Sequence, residues 1–71
     1  MKQKELMQAF EANQLDEAKD ILCLYGSIVK LTEWQDENDS FCREYIITHC
    51  NIKWDIRMKN GEVRSVGYNI E

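Results

Sequence analysis

Residues 52–70, IKWDIRMKNGEVRSVGYNI, decide much of the fold of this 71-residue chain. Their first half alternates apolar and polar residues, which is the period of a strand with one buried face. The apolar members are Ile52, Trp54, Ile56 and Met58. Asn60-Gly61 follows, and both residue types tolerate positive φ in a tight turn. Val66, Tyr68 and Ile70 then share one face of a second run, so the stretch predicts a β-hairpin.

Two registers fit this hairpin. A two-residue turn pairs Met58 with Val63 and needs a bulge at Arg64-Ser65 to keep the later apolar residues on the same face. A three-residue loop over 59–61, with a glycine bulge, needs no further correction. It places Val66 near Trp54, Tyr68 near Ile52 and Ile70 near Cys50, and leaves Val63 on the other face beside Arg57. We favour this second register.

The stretch from Phe41 to Lys59 contains neither Gly nor Pro. Tyr45 and Ile47 are odd-numbered, whereas the apolar residues after His49 are even-numbered, so the alternation changes phase without a strong turn signal. A bulge or bend in one long strand over 42–58 explains this change. A tight turn near 49–51, which would give four strands in place of three, is the alternative. We favour the single bent strand.

Residues 3–25 are rich in helix formers. On a helical wheel their apolar residues fill an arc of about 180°, and Gly26 stands where a helix often ends. One continuous helix therefore fits. A two-helix reading competes, because Asn13-Gln14 could form a turn and residues 13–18 resemble the inter-helix segment of a tetratricopeptide repeat. No second repeat is found, so we favour the continuous helix.

Residues 27–35 carry β-branched and aromatic residues and predict the first strand. The expected fold is α+β: one N-terminal helix (about 3–25) packed on a three-stranded antiparallel meander (about 27–35, 42–58 and 62–70), in a single domain. A chain this short has a small core. Because the apolar arc of the helix is wider than one small sheet needs, we expect a homodimer, in which a second copy shares buried area.

The composition of the chain argues against several classes of function. A net charge of −4 argues against simple electrostatic binding to nucleic acid, since phosphate binding relies on clustered Lys and Arg. The three cysteines form no CxxC pair. No window approaches the roughly 20 apolar residues of a membrane span, and no apolar signal segment opens the chain. We therefore expect a cytoplasmic protein with free thiols and no membrane partner.

The chain resembles a known family. Its length, the expected layout of one helix and three strands, and the final hairpin at Asn60-Gly61 are similar to those of the YopT family of small Bacillus prophage proteins. The resemblance implies a homodimer and assigns no function. It rests on size and layout, so no functional residue is carried over.

Candidates for chemistry are few. His49, Cys42 and Cys50 come closest to a metal-ligand pattern, but structural zinc needs four ligands, and neighbouring strand residues point to opposite faces. Whether the three converge depends on the bend near His49. Asp36 and Asp39 are paired carboxylates in a polar loop. Such a loop does not hold two carboxylates in the fixed geometry that acid–base catalysis requires. We expect no enzymatic activity, no metal and no cofactor.

Two surfaces are candidates for binding a partner molecule. Trp34 and Phe41 flank an acidic turn, and aromatic residues often anchor protein–protein contacts. The candidate protein-binding surface is Trp34, Asp36, Glu37, Asp39 and Phe41. The alternative is a regulatory nucleic-acid binder that uses the basic residues of the C-terminal hairpin, Lys53, Arg57, Lys59 and Arg64. We favour a protein-binding homodimer, and the resemblance suggests a phage-encoded modulator of a host factor.

Overall fold

The computed structural model describes residues 3–70. Two helices precede four strands: α1 (Gln3–Glu11), α2 (Leu15–Tyr25), β1 (Ser27–Gln35), β2 (Phe41–His49), β3 (Ile52–Lys59) and β4 (Glu62–Ile70). The strands form one antiparallel sheet in the order β1-β2-β3-β4. The expected layout of one helix and three strands is therefore wrong, and the resemblance loses the layout on which it rested.

The predicted continuous helix breaks at Asn13. Its φ is +59°, a left-handed conformation that Asn tolerates better than most residues. The N–H of Gln14 donates to the carbonyl of Ala9 at 2.8 Å, which closes the end of α1. The break changes the phase of α2 relative to α1, and Leu24, which a continuous helical wheel would place beside Leu6 and Phe10, is 73% exposed.

The predicted long strand over 42–58 is also wrong, because the chain reverses at Cys50 and Asn51. Both residues have positive φ, 53° and 63°, as a two-residue hairpin turn requires. Such a turn places His49 opposite Ile52 and so pairs odd-numbered residues of β2 with even-numbered residues of β3. The phase change in the sequence is therefore the signature of this turn.

The last hairpin adopts the register that we did not favour. Asn60 and Gly61 have φ of 51° and 80° and form a two-residue turn. Met58 pairs with Val63 and Ile56 pairs with Val66, with a register shift between them. The extra residue keeps both valines on the same face of the sheet, and burial of the two side chains stabilises this register over the three-residue loop.

The sheet has one face toward the helices, called here the inner face, and an opposite outer face. Ile47, Trp54 and Ile56 lie on the inner face, fully buried, and form the core with helix residues. The helix members of this core are Leu6, Ala9, Ala18 and Leu22. The rings of Trp54 and Phe10 meet edge to face with centroids 5.8 Å apart, which ties α1 to the sheet.

Gly26 joins α2 to β1 at a point of close approach. Gly26 caps α2 directly after Tyr25, and its φ of −88° is extended instead of the left-handed conformation in which glycine often ends a helix. A Cβ on Gly26 would lie 2.5 Å from Cγ2 of Ile47 and 2.8 Å from the carbonyl oxygen of Leu22. Glycine is needed here because the helix end packs directly on β2.

Replacing Gly26 by alanine should therefore lower the free energy of unfolding by about 1–3 kcal/mol, the usual effect of overpacking. Gly67→Ala is the matched control, because no atom lies within 4 Å of a Cβ at that position. Urea denaturation of the two variants measures the difference. Equal stabilities for both variants would contradict the packing described for Gly26.

Candidate functional site

The structure divides the predicted protein-binding surface between the two faces of the sheet. Trp34 pairs with Cys42 on the outer face, and Phe41 pairs with Gln35 on the inner face. Trp34 and Phe41 are each 43% exposed. The two aromatic rings therefore cannot contact one flat partner together, although both remain accessible.

Asp36 holds the acidic turn together. Its Oδ1 accepts hydrogen bonds from the backbone N–H groups of Asn38 at 2.9 Å and Ser40 at 3.0 Å, and Nζ of Lys59 lies 3.1 Å from Oδ2. The bond from Ser40, followed by the contact with Lys59, lowers the pKa of the Asp36 carboxyl below its ordinary value of 3.8. Asp36 therefore has a structural role, whereas Glu37 and Asp39 are exposed.

A lowered pKa makes stability depend on pH in a defined direction. The charge of Asp36 stabilises the folded state above pH 3.8, and this contribution disappears as pH falls through the lower folded-state pKa. Asp36→Asn should therefore lower the Tm at pH 7, with a difference from wild type that narrows below about pH 4.

Thermal melts between pH 7 and pH 2 test this expectation. Asp39→Asn is the control, because it removes a charge from the same turn and Asn also tolerates its φ of +60°. The control should keep the wild-type pH profile. A Tm deficit of Asp36→Asn that stays constant down to pH 2 would contradict the role of the charge.

A group of exposed apolar side chains surrounds the free edge of β1. Leu24 and Tyr25 end α2 and are 73% and 50% exposed. Ile28, Val29 and Leu31 follow in β1, with exposures of 50%, 62% and 47%. These five residues are called here the β1 edge patch. Sequence reasoning missed it, because helix and strand periodicity predicted that most of them are buried.

A second cluster lies on the inner face around Arg43, next to the core that the helices cover. The guanidinium of Arg43 donates to Oη of Tyr45 at 3.0 Å and to Glu33 at 3.3 Å, and these bonds raise its pKa. It also lies 5.5 Å from the ring centroid of Phe41. A cleft of about 150 Å³ opens beside it, lined by Phe41, Arg43, Met58 and Gly61. We call these residues, with Tyr45, the Arg43 cluster.

The basic residues of the C-terminal hairpin are largely compensated by carboxylates. Arg57 lies 3.1 Å from Glu44, Lys59 binds Asp36, and Arg64 lies 3.6 Å from Glu62.

The aromatic residues of the hairpin lie on the face opposite Lys53, Arg57 and Lys59. Trp54 is fully buried, and Tyr68, which is 42% exposed, packs against it on the inner face with ring centroids 5.1 Å apart. Lys53, by contrast, pairs with Thr48 on the outer face. The nucleic-acid alternative stays a prediction that this geometry does not favour.

The sequence analysis did not identify a pair of carboxyl groups that lies on the outer face. Glu44 and Asp55 lie on neighbouring strands and both approach Nε of Arg57, at 3.1 Å and 3.8 Å. Burial, together with the hydrogen bond to Glu44, raises the pKa of Asp55, while the same hydrogen bond lowers the pKa of Glu44. Only the strand register brings these residues together, so the sequence contains no local signal for it.

His49, Cys42 and Cys50 do not converge. β2 separates Cys42 from Cys50 by roughly 25 Å, at about 3.3 Å per residue. Cys42 is buried beside the acidic turn, whereas Cys50 is exposed in the β2–β3 turn. Within residues 3–70, no group of three or more His, Cys, Asp or Glu side chains is placed to hold a metal ion.

Comparisons with protein-family models, curated proteins and solved structures found no match to this chain. Neither helix in the described range has the length and apolar character needed to cross a bilayer. Any functional conclusion therefore has to come from the geometry of the surfaces described above.

Proposed function

We propose that this chain is a small cytoplasmic protein that binds another protein and works as a homodimer. The observation that carries the proposal is the uneven distribution of exposed apolar side chains. Among the described residues, nine large hydrophobic side chains are exposed, and six of them lie between Leu24 and Trp34. Exposed apolar residues that are concentrated at one edge of a small domain, here the β1 edge, are typical of an interaction surface.

The Arg43 cluster is the proposed contact for the other protein. Arg, Tyr, Phe and Met are enriched at protein–protein interfaces, where aromatic and arginine side chains often dominate the binding energy. Phe41 is 43% exposed at the edge of the cleft, so its ring is accessible to a partner side chain. The half-buried guanidinium of Arg43 is held by Tyr45 and Glu33, which limits the entropy lost on binding.

A role as a phage-encoded modulator of a host factor is the finer form of this proposal. It rests on the resemblance to the YopT family alone. The observed layout of two helices and four strands does not add to that resemblance. Protein binding, in contrast, is supported by the exposed surfaces and does not depend on the origin of the chain.

A pull-down from nuclease-treated bacterial lysate, read by mass spectrometry, tests the proposal. The tagged wild type should retain one protein in near-stoichiometric amount. Phe41→Ser should reduce that recovery about tenfold or more, because loss of a hot-spot side chain costs more than about 1.4 kcal/mol. Ile70→Ser removes an exposed apolar residue on the opposite edge of the sheet and should bind as wild type does.

Two outcomes would contradict the proposal. One is that the wild type retains no protein under native conditions. The other is recovery of many proteins without nuclease and of none after nuclease treatment, which would shift the function to nucleic acid. In that case Lys53 and Arg57 would be replaced next.

A further inference from the structure

We propose that two copies of this chain join edge to edge through β1, so that their sheets form one continuous eight-stranded antiparallel sheet. The inference rests on the proposed homodimer and names the surface that forms it. It follows from three features of the structure: the free edge of β1, the charges along that edge, and the position of the Arg43 cluster relative to the end of α2.

The outer edge of β1 has no neighbouring strand among residues 3–70. Natural proteins protect such edges with proline, short strands, charges or bulges. β1 is nine residues long and has a bulge only near its start, between Ile28 and Lys30. From Lys30 to Gln35 its backbone N–H and C=O groups are regularly spaced, so this segment can pair with a further strand.

The other free edge, β4, suits pairing less well. Gly67 lies in the middle of it, and glycine weakens a strand because it adds backbone entropy and no packing surface. Arg64 is the bulged residue of this strand. β1, in contrast, has no glycine and is regular from Lys30 to Gln35. The uninterrupted strand therefore favours β1 as the pairing edge.

The charges of β1 permit pairing with a copy of itself. A twofold axis perpendicular to the sheet makes the two β1 strands antiparallel and keeps both inner faces on the same side. Paired residues must then share a face, and centring the strands on Lys30 or Glu33 would oppose two like charges, so the pair centres on Leu31 or Thr32. Lys30 meets Thr32 or Trp34 of the second copy in these two registers, and Glu33 meets Val29 or Leu31. Neither register opposes like charges, which would destabilise the pair.

The same symmetry covers apolar surface that each copy leaves exposed. Because the strands are antiparallel, the start of one β1 lies beside the end of the other. Leu24 and Tyr25 precede the start of β1 at the end of α2, on the side of the sheet that carries the helices. The Arg43 cluster lies on that same side near the end of β1, where Phe41 pairs with Gln35. The helix end of each copy therefore lies beside the Arg43 cluster of the other, and the two together border the contact proposed for the partner protein.

Mass measurement by size-exclusion chromatography with light scattering is the first test. The wild type should have about twice the chain mass of 8.4 kDa. Leu31→Glu should be monomeric at the same concentration, because the added carboxylate faces its own copy when the strands centre on Leu31 and faces Glu33 when they centre on Thr32. Ile70→Glu is the control, since Ile70 is 78% exposed on the β4 edge, and it should remain dimeric. Circular dichroism checks that both variants are folded.

Cross-linking locates the axis without relying on a disruptive variant. Leu31→Cys and Thr32→Cys are made separately with Cys50→Ser, which removes the exposed thiol. One of the two should form an intermolecular disulfide on mild oxidation, because facing residues of an antiparallel pair have Cα atoms about 4.5–5.5 Å apart. Ile70→Cys with Cys50→Ser should form none.

The outcomes separate the two proposals. A wild type that stays monomeric at all concentrations overturns both this inference and the homodimer of the proposed function. A dimer that survives Leu31→Glu and cross-links at neither position 31 nor 32 overturns the β1 edge alone. A dimer lost in Ile70→Glu would assign the interface to β4.

Discussion

The burial of Trp54 is the interaction on which the remaining structure depends. Its indole lies on a central strand, fully buried, and meets the rings of Phe10 and Tyr68. Phe10 belongs to a helix of nine residues, which is shorter than the roughly 12–15 residues that an isolated helix needs in water. The helix therefore depends on this contact with the sheet. Through Tyr68, the same cluster also fixes the register of β4 against β3.

Two-residue turns determine which side chains reach that core. At Cys50-Asn51 and at Asn60-Gly61 the backbone takes positive φ at both turn residues, and the strand residues next to each turn pair odd positions with even ones. A one-residue change in either turn would move a whole set of apolar side chains to the outer face. The bulge at Arg64 corrects the one place where the turn alone would misplace the apolar residues of β4.

The core is small, and the apolar side chains that lie outside it form the candidate binding surfaces. The helices cover the inner face around Trp54 and Ile56, while Phe41 and Leu31 remain partly exposed toward the other end of the sheet. The outer face is different, because Arg57 and Lys59 lie there beside carboxylates. Such paired charges keep a surface hydrated and neutral. The uncovered apolar residues of β1 and its surroundings are therefore the surfaces where association removes the most unfavourable contact with water.

Local sequence determined the features that depend on neighbouring residues: the first strand at Ser27–Gln35, the turn at Asn60-Gly61 and the alternation around Trp54. These follow from residue period and turn chemistry. Only the tertiary structure decided the break at Asn13, the turn at Cys50 and the register of the last hairpin, because in each case the local residue pattern fitted two alternatives. Packing of the apolar residues into one core selected among them. The tertiary structure also decided that Glu44 and Asp55 lie together and that the β1 edge is exposed, since both depend on strand pairing between residues far apart in the chain.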